Sequence, residues 1–145
     1  MMQLDHLNTH QVHQVARFYA AAAAASHGHQ VEVVGARTRL TVDGRTVQVL
    51  SRRQHGSPWQ ANVSTPTVED AHAVIFVDLT GETPDYFVAP ALWVQQDVRM
   101  HHEAWLARVG GTRPRNPTSD HTAIPVDRIQ QWHRRWDVLA ADQTG

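Results

Sequence analysis

The residues best suited to chemistry lie around one short hairpin. Asp43-Gly44 separates Thr38–Val42 from Thr46–Leu50, and an Asp-Gly pair between two β-branched runs is a strong two-residue turn signal. With that turn, Val42 faces Arg45, Leu40 faces Val47, Arg39 faces Gln48 and Arg37 faces Leu50, because paired residues share a face and side chains alternate. One face is then Thr38, Leu40, Val42, Val47 and Val49, a core. The other carries Arg37, Arg39, Thr41, Thr46, Gln48 and Leu50, with two cations and no carboxylate. Such a face repels a divalent metal and suits a phosphate or carboxylate held by guanidinium forks. The competing reading leaves Arg37 and Arg39 solvated, their stems packed on the sheet.

Just beyond the hairpin, Arg52 and Arg53 precede the polar segment Gln54-His55-Gly56-Ser57-Pro58-Trp59-Gln60. Trp59 with two arginines on a loop could stack a base and hold phosphates, or fold back as a lid over the sheet. Eleven histidines raise the question of a metal. Asp97 and His101 are four apart on an expected helix, with His102 and Glu103 adjacent, yet a third fixed ligand is missing and the spacing is not that of a zinc hydrolase. A polar helix face is the better reading, and no metal site is expected. His27 and His29 flank Gly28 at a helix end, where a cation complements the dipole. Arg113, Arg115, Arg128, Arg134 and Arg135 could line a phosphate-tracking groove, but Asp120, Asp127 and Asp137 lie among them.

The elements that must position these residues follow from periodicity. Asn8–Ser26 reads as a capped helix through its alanine tract, stopping at Gly28. Gln30–Val34 and the two hairpin arms read as strands. The apolar run in His72–Leu79 suits a buried central strand, and Tyr86–Val88 begins another. Pro90 opens a helix to about Val109, Thr112–His121 is a loop, and Val126–Leu139 is a last helix with Ile129, Trp132, Trp136 and Leu139 on one face. The expected architecture is an α/β (α+β) sandwich: a central mixed sheet of about five strands flanked by helices, in one domain spanning 1–145, with 1–7 and 140–145 fraying.

This order and several phrases resemble the compact core of the PD-(D/E)XK, or restriction-endonuclease-like, nucleases. The run His29-Gln30-Val31-Glu32-Val33-Val34 precedes the hairpin, and Val47-Gln48-Val49-Leu50-Ser51-Arg52-Arg53 is similar to that family's VQVK(S/T) strand. Ala73–Leu79, Pro84–Pro90 and Arg135–Leu139 resemble the later strands and closing helix of its small members. The resemblance implies an aspartate, a glutamate or glutamine, and a lysine that hold Mg²⁺ and orient water. Those positions fall on Arg39, Gln48 and Leu50, so only Gln48 still fits. Asp43 from the turn and Arg52 in place of the lysine are the rescue candidates. Asp43 reads better as a turn residue, and arginine stays protonated and cannot serve as a base.

Composition narrows the rest. All 13 basic residues are arginine, so no lysine is present to have moved elsewhere. The formal charge of −1 gives no global attraction to nucleic acid, so any binding needs a local patch. There is no cysteine and no apolar run long enough to span a bilayer, which leads to the expectation of a cytoplasmic protein without membrane contact. The expected function is a non-catalytic protein of nuclease fold, without cofactor, binding nucleic acid or an anionic protein partner through Arg37, Arg39, Gln48, Arg52, Arg53 and Trp59. The alternatives are a Mg²⁺-dependent DNA endonuclease with relocated residues, and an interaction module or homo-oligomer whose cleft is sealed by Leu50 and Trp59.

Overall fold

The computed structural model describes residues 3–35, 38–62, 71–108 and 121–140. Helix α1 (Thr9–Ser26) starts with Asn8, whose side chain accepts from the Gln11 amide while the Gln11 side chain accepts from the Asn8 amide, a reciprocal cap. Its alanines are explained by packing: Ala16, Ala20 and Ala24 recur every fourth residue, are fully buried, and let the helix lie close on the sheet. The stretch before α1, expected to fray, is tied down: Leu4 is buried and Leu7 packs on the same core.

The sheet holds β1 (Val31–Glu32), β2 (Arg39–Val42), β3 (Arg45–Arg52), β5 (Ala73–Asp78) and β6 (Asp85–Pro90), in that order across it. β3 and β5 are parallel and every other neighbouring pair is antiparallel, so the sheet is mixed, as expected. The hairpin register is the one read from Asp43-Gly44: Arg39 pairs with Gln48, Leu40 with Val47 and Val42 with Arg45. Asp43 (φ 51°) and Gly44 (φ 80°) both take the left-handed conformation that such a turn demands.

Alternation along β3 and β5 divides the interior in two. Val47, Val49, Ala73, Ile75 and Val77 face α1. Val74 and Phe76 face the opposite side, against helix α2 (Ala91–Arg108) through Val94 and Val98. That side is closed by a two-stranded sheet of β4 (Trp59–Asn62) and β7 (His121–Ile124), in which Trp59 pairs with Ile124. These two strands begin at the ends of the segments expected to be loops and continue into residues to which no element was assigned. Long-range pairing supplies their order, and neither segment alternates over enough residues to reveal it.

The last helix is a correction. Val126–Trp132 and Trp136–Leu139 are two separate 3-10 turns. Between them His133 is extended and bridges Phe87, while Arg134 takes φ 53° and its N–H donates to the Tyr86 carbonyl at 3.0 Å. The chain thus crosses the edge of β6, placing Ile129 in the core on the α2 side and Trp136 and Leu139 in the core on the α1 side. The four residues expected on one helical face stand on two faces of a sheet.

No helix among the described residues is long and apolar enough to cross a membrane.

Candidate functional site

β3 outruns its hairpin partner. β2 accompanies it only from Arg45 to Gln48, whereas β5 runs beside it from Val47 to Arg52. Beside those last residues lies a cavity of about 450 Å³, bounded by Thr9 and His13 of α1, by the strand from Gln48 to Arg53, and by Ser57, Pro58 and Gln60 before and within β4. That is the size of a small-ligand pocket. Three elements position its wall. The capped start of α1 brings Thr9 and His13, the parallel β3–β5 pairing fixes the strand, and the loop into β4 folds over it.

Arg39 and Gln48 meet as the pairing predicts. Gln48 is 2% exposed; its Oε1 accepts from Arg39 Nε at 3.2 Å, and its Nε2 donates to Thr38 Oγ1 at 2.9 Å. Leu50, on the same face, is half-buried against the core on the α2 side. Arg37 lies outside the described residues.

Arg52 and Arg53 are neighbours with different surroundings. Arg52 donates to Asp78 Oδ2 at 2.7 Å and to the Ser57 carbonyl at 2.9 Å, and its guanidinium lies 4.5 Å over the Trp59 ring. The ion pair is mostly enclosed, with side-chain exposures of 10% and 13%. Burial pushes the Asp78 carboxyl up, but hydrogen bonds from Arg52 and Thr80 outweigh it and hold the carboxyl below its ordinary value. Arg53 instead gives Nη1 to two neutral acceptors, the carbonyls of Leu7 (2.8 Å) and Leu4 (3.3 Å), and pairs with no carboxylate among the described residues.

Trp59, read as a stacking ring or a lid on a polar loop, is fully buried. Its Nε1 donates to the Val77 carbonyl, and its ring meets Phe76 and Phe87 edge-on. It is a core residue, with no face left for a base. Its polar neighbours in sequence concealed this, because the burial comes from β5 and β6, which follow later in the chain.

Asp43 acts as a turn residue. Its carboxylate accepts from the Gln30 amide at 2.9 Å and from His29 Nδ1 at 2.7 Å, and these hydrogen bonds keep its pKa low. Ser51 at the cavity lies six positions along β3 from Arg45 beside the turn, about 20 Å at the ordinary strand rise. Asp43 is therefore committed to the turn, far from Ser51. Asp97 is nearly buried and paired with Arg128. His101 approaches it, but no group of three metal-capable side chains forms among the described residues. Among the described residues the cleft wall carries arginines, hydroxyls, amides and the single imidazole of His13, and no carboxylate, which is a poor set for a hard divalent cation.

One pair in the cleft has no signature in the sequence. His13 Nδ1 and Ser51 Oγ are 2.6 Å apart, joining residues 38 positions distant. Burial, then the charges of His10 and Arg53, push the His13 pKa below its ordinary 6.5.

Compared with family models, curated proteins and solved structures, the chain matches none.

Proposed function

We propose that this is a protein of nuclease-like fold, devoid of nuclease chemistry, that binds a nucleic acid through the cleft at the end of β3. The observation that carries the reading is the sign of the cleft wall. Among the described residues Arg53 is met there by carbonyl dipoles, Gln48 lines the cavity with Arg39 bonded to it from β2, and no carboxylate lines the wall. A phosphate is the group that such a wall attracts. Arg52 supports the site as a strut, since Asp78 already neutralises it.

The same geometry argues against metal-dependent cleavage with relocated residues. Asp43 is engaged at the far turn, and Arg52 is committed to Asp78 and cannot accept a proton. Supercoiled plasmid incubated with the protein and Mg²⁺ or Mn²⁺ is expected to stay intact.

The binding test is fluorescence anisotropy with short single-stranded and duplex DNA and RNA. Affinity should fall as salt rises, and Arg53→Ala with Arg39→Ala should weaken it and flatten the salt slope, each lost phosphate contact removing a unit of about 0.7–0.9 from that slope. Affinity indifferent to both salt and substitution would overturn the proposal.

A further inference from the structure

Ser51 projects from β3 on the α1 side of the sheet, between Leu50 and Arg52, which point the other way. His13 stands one helical turn after Thr9, and both His13 and Ser51 border the cavity. At 2.6 Å the imidazole Nδ1 and the hydroxyl are in direct hydrogen-bond contact, the arrangement that activates a serine. The groups acting on His13 are His10 on its own helix and Arg53 from the strand end; both disfavour the imidazolium, as does burial. At neutral pH the ring is therefore uncharged. With its proton on Nε2, Nδ1 accepts the Ser51 hydroxyl proton.

We infer that Ser51 and His13 form a nucleophile and general-base pair that cleaves short-chain carboxylic esters in this cleft. Ser51 Oγ bonds to the ester carbonyl carbon as its proton passes to His13 Nδ1. The tetrahedral oxyanion collapses, the bond from carbon to the leaving oxygen breaks, and His13 returns the proton to the departing alcohol. Water, deprotonated by the same nitrogen, then adds to the acyl carbon, the bond to Ser51 Oγ breaks and His13 returns the proton to that oxygen, so that ester and water become acid and alcohol. The cavity admits a small substrate, Val49 and Pro58 supply apolar contact, and the guanidinium of Arg53 provides a positive field for the oxyanion. Burial and the Arg53 guanidinium lower the basicity of His13 and, for the same reason, make it a readier acid toward the leaving group. This activity shares the cleft and Arg53 with the proposed nucleic-acid binding but does not rest on it, and its test does not share a readout with that one.

The experiment exposes the purified full chain to a fluorophosphonate probe, which forms a serine–phosphorus bond and expels fluoride, and maps the adduct by peptide mass spectrometry. Hydrolysis of p-nitrophenyl acetate is followed in parallel. The adduct is expected on Ser51, with a rate that rises with pH through a value below 6.5 and is level above pH 7, the profile of His13 losing its proton. Ser51→Ala should abolish that adduct, and His13→Gln should slow labelling and ester turnover by about 100-fold or more. No Ser51 adduct on folded wild-type protein at any pH from 6 to 9 would overturn the inference. So would a His13→Gln protein labelled at the wild-type rate. The wild-type pH profile needs no variant, so the inference is decided even if His13→Gln fails to fold.

Discussion

The last turn of β3 has two sides that use polar groups in opposite ways. On the side of α2, Arg52 meets Asp78, the Ser57 carbonyl and the Trp59 ring, and every strong interaction it makes holds β3, β4 and β5 together. On the side of α1, Ser51 and His13 touch each other at the wall of a cavity. Adjacent residues on one strand are thus a structural strut and a reactive group. A cation opposite a buried carboxylate is consumed by the fold, whereas a hydroxyl against an imidazole beside open space keeps its chemistry.

The first way to break this contrast is on the strut side, where the largest losses are expected. Trp59→Ala should cost about 3–5 kcal/mol by chemical denaturation, the range for emptying a buried aromatic site. Asp78→Ala should cost about 3 kcal/mol by leaving Arg52 enclosed without its counter-charge. Arg52→Met combined with Asp78→Leu should recover most of that loss, because removing both partners leaves no orphan. A double variant as unstable as Asp78→Ala alone would show that the ion pair is not the source of the effect.

Acid provides a gentler probe of the same side. Asp78 is held below its ordinary 3.8 in the folded protein by Arg52 and Thr80, in spite of burial. A carboxylate depressed on folding contributes stability above its unfolded pKa and loses it as pH falls toward its folded value. Stability should therefore decline below about pH 4, and Asp78→Asn should flatten that limb of the curve. The smallest effect belongs to the other side: Ser51→Ala should change stability by no more than about 1 kcal/mol, the net worth of one hydrogen bond. A much larger loss would move Ser51 into the structural class and erase the contrast.

How far the sequence disclosed these sides follows from distance along the chain. The hairpin register was readable because Asp43-Gly44 fixes it locally, and Arg39 does face Gln48. The mixed sheet and the buried strand at Ala73–Asp78 followed from patterns confined to single segments. The final segment was misread as a helix because its apolar spacing is helical. Contacts with β6, through Phe87 and Tyr86, then draw His133 and Arg134 out of that path. Of the two readings of Trp59, the ring folded back over the sheet is the one that stands, against Phe76 and Phe87; its polar neighbours in sequence left base stacking open beside it. His13 and Ser51 lie in no common motif, and only the docking of α1 on β3 joins them.

The pairing of β4 with β7 sets an order of assembly. The hairpin of β2 and β3 closes over a two-residue turn, the β3–β5 ladder joins residues 26 apart, and Trp59 meets Ile124 across 65 positions. Loop closure grows more costly with separation, and contacts between distant segments come late in folding. The two-stranded sheet is therefore the last part to close and the first to open. Its amides should exchange with solvent ahead of those of β3 and β5, and because Ser57, Pro58 and Gln60 border the cleft, each such opening also loosens one wall of the cavity beside Ser51.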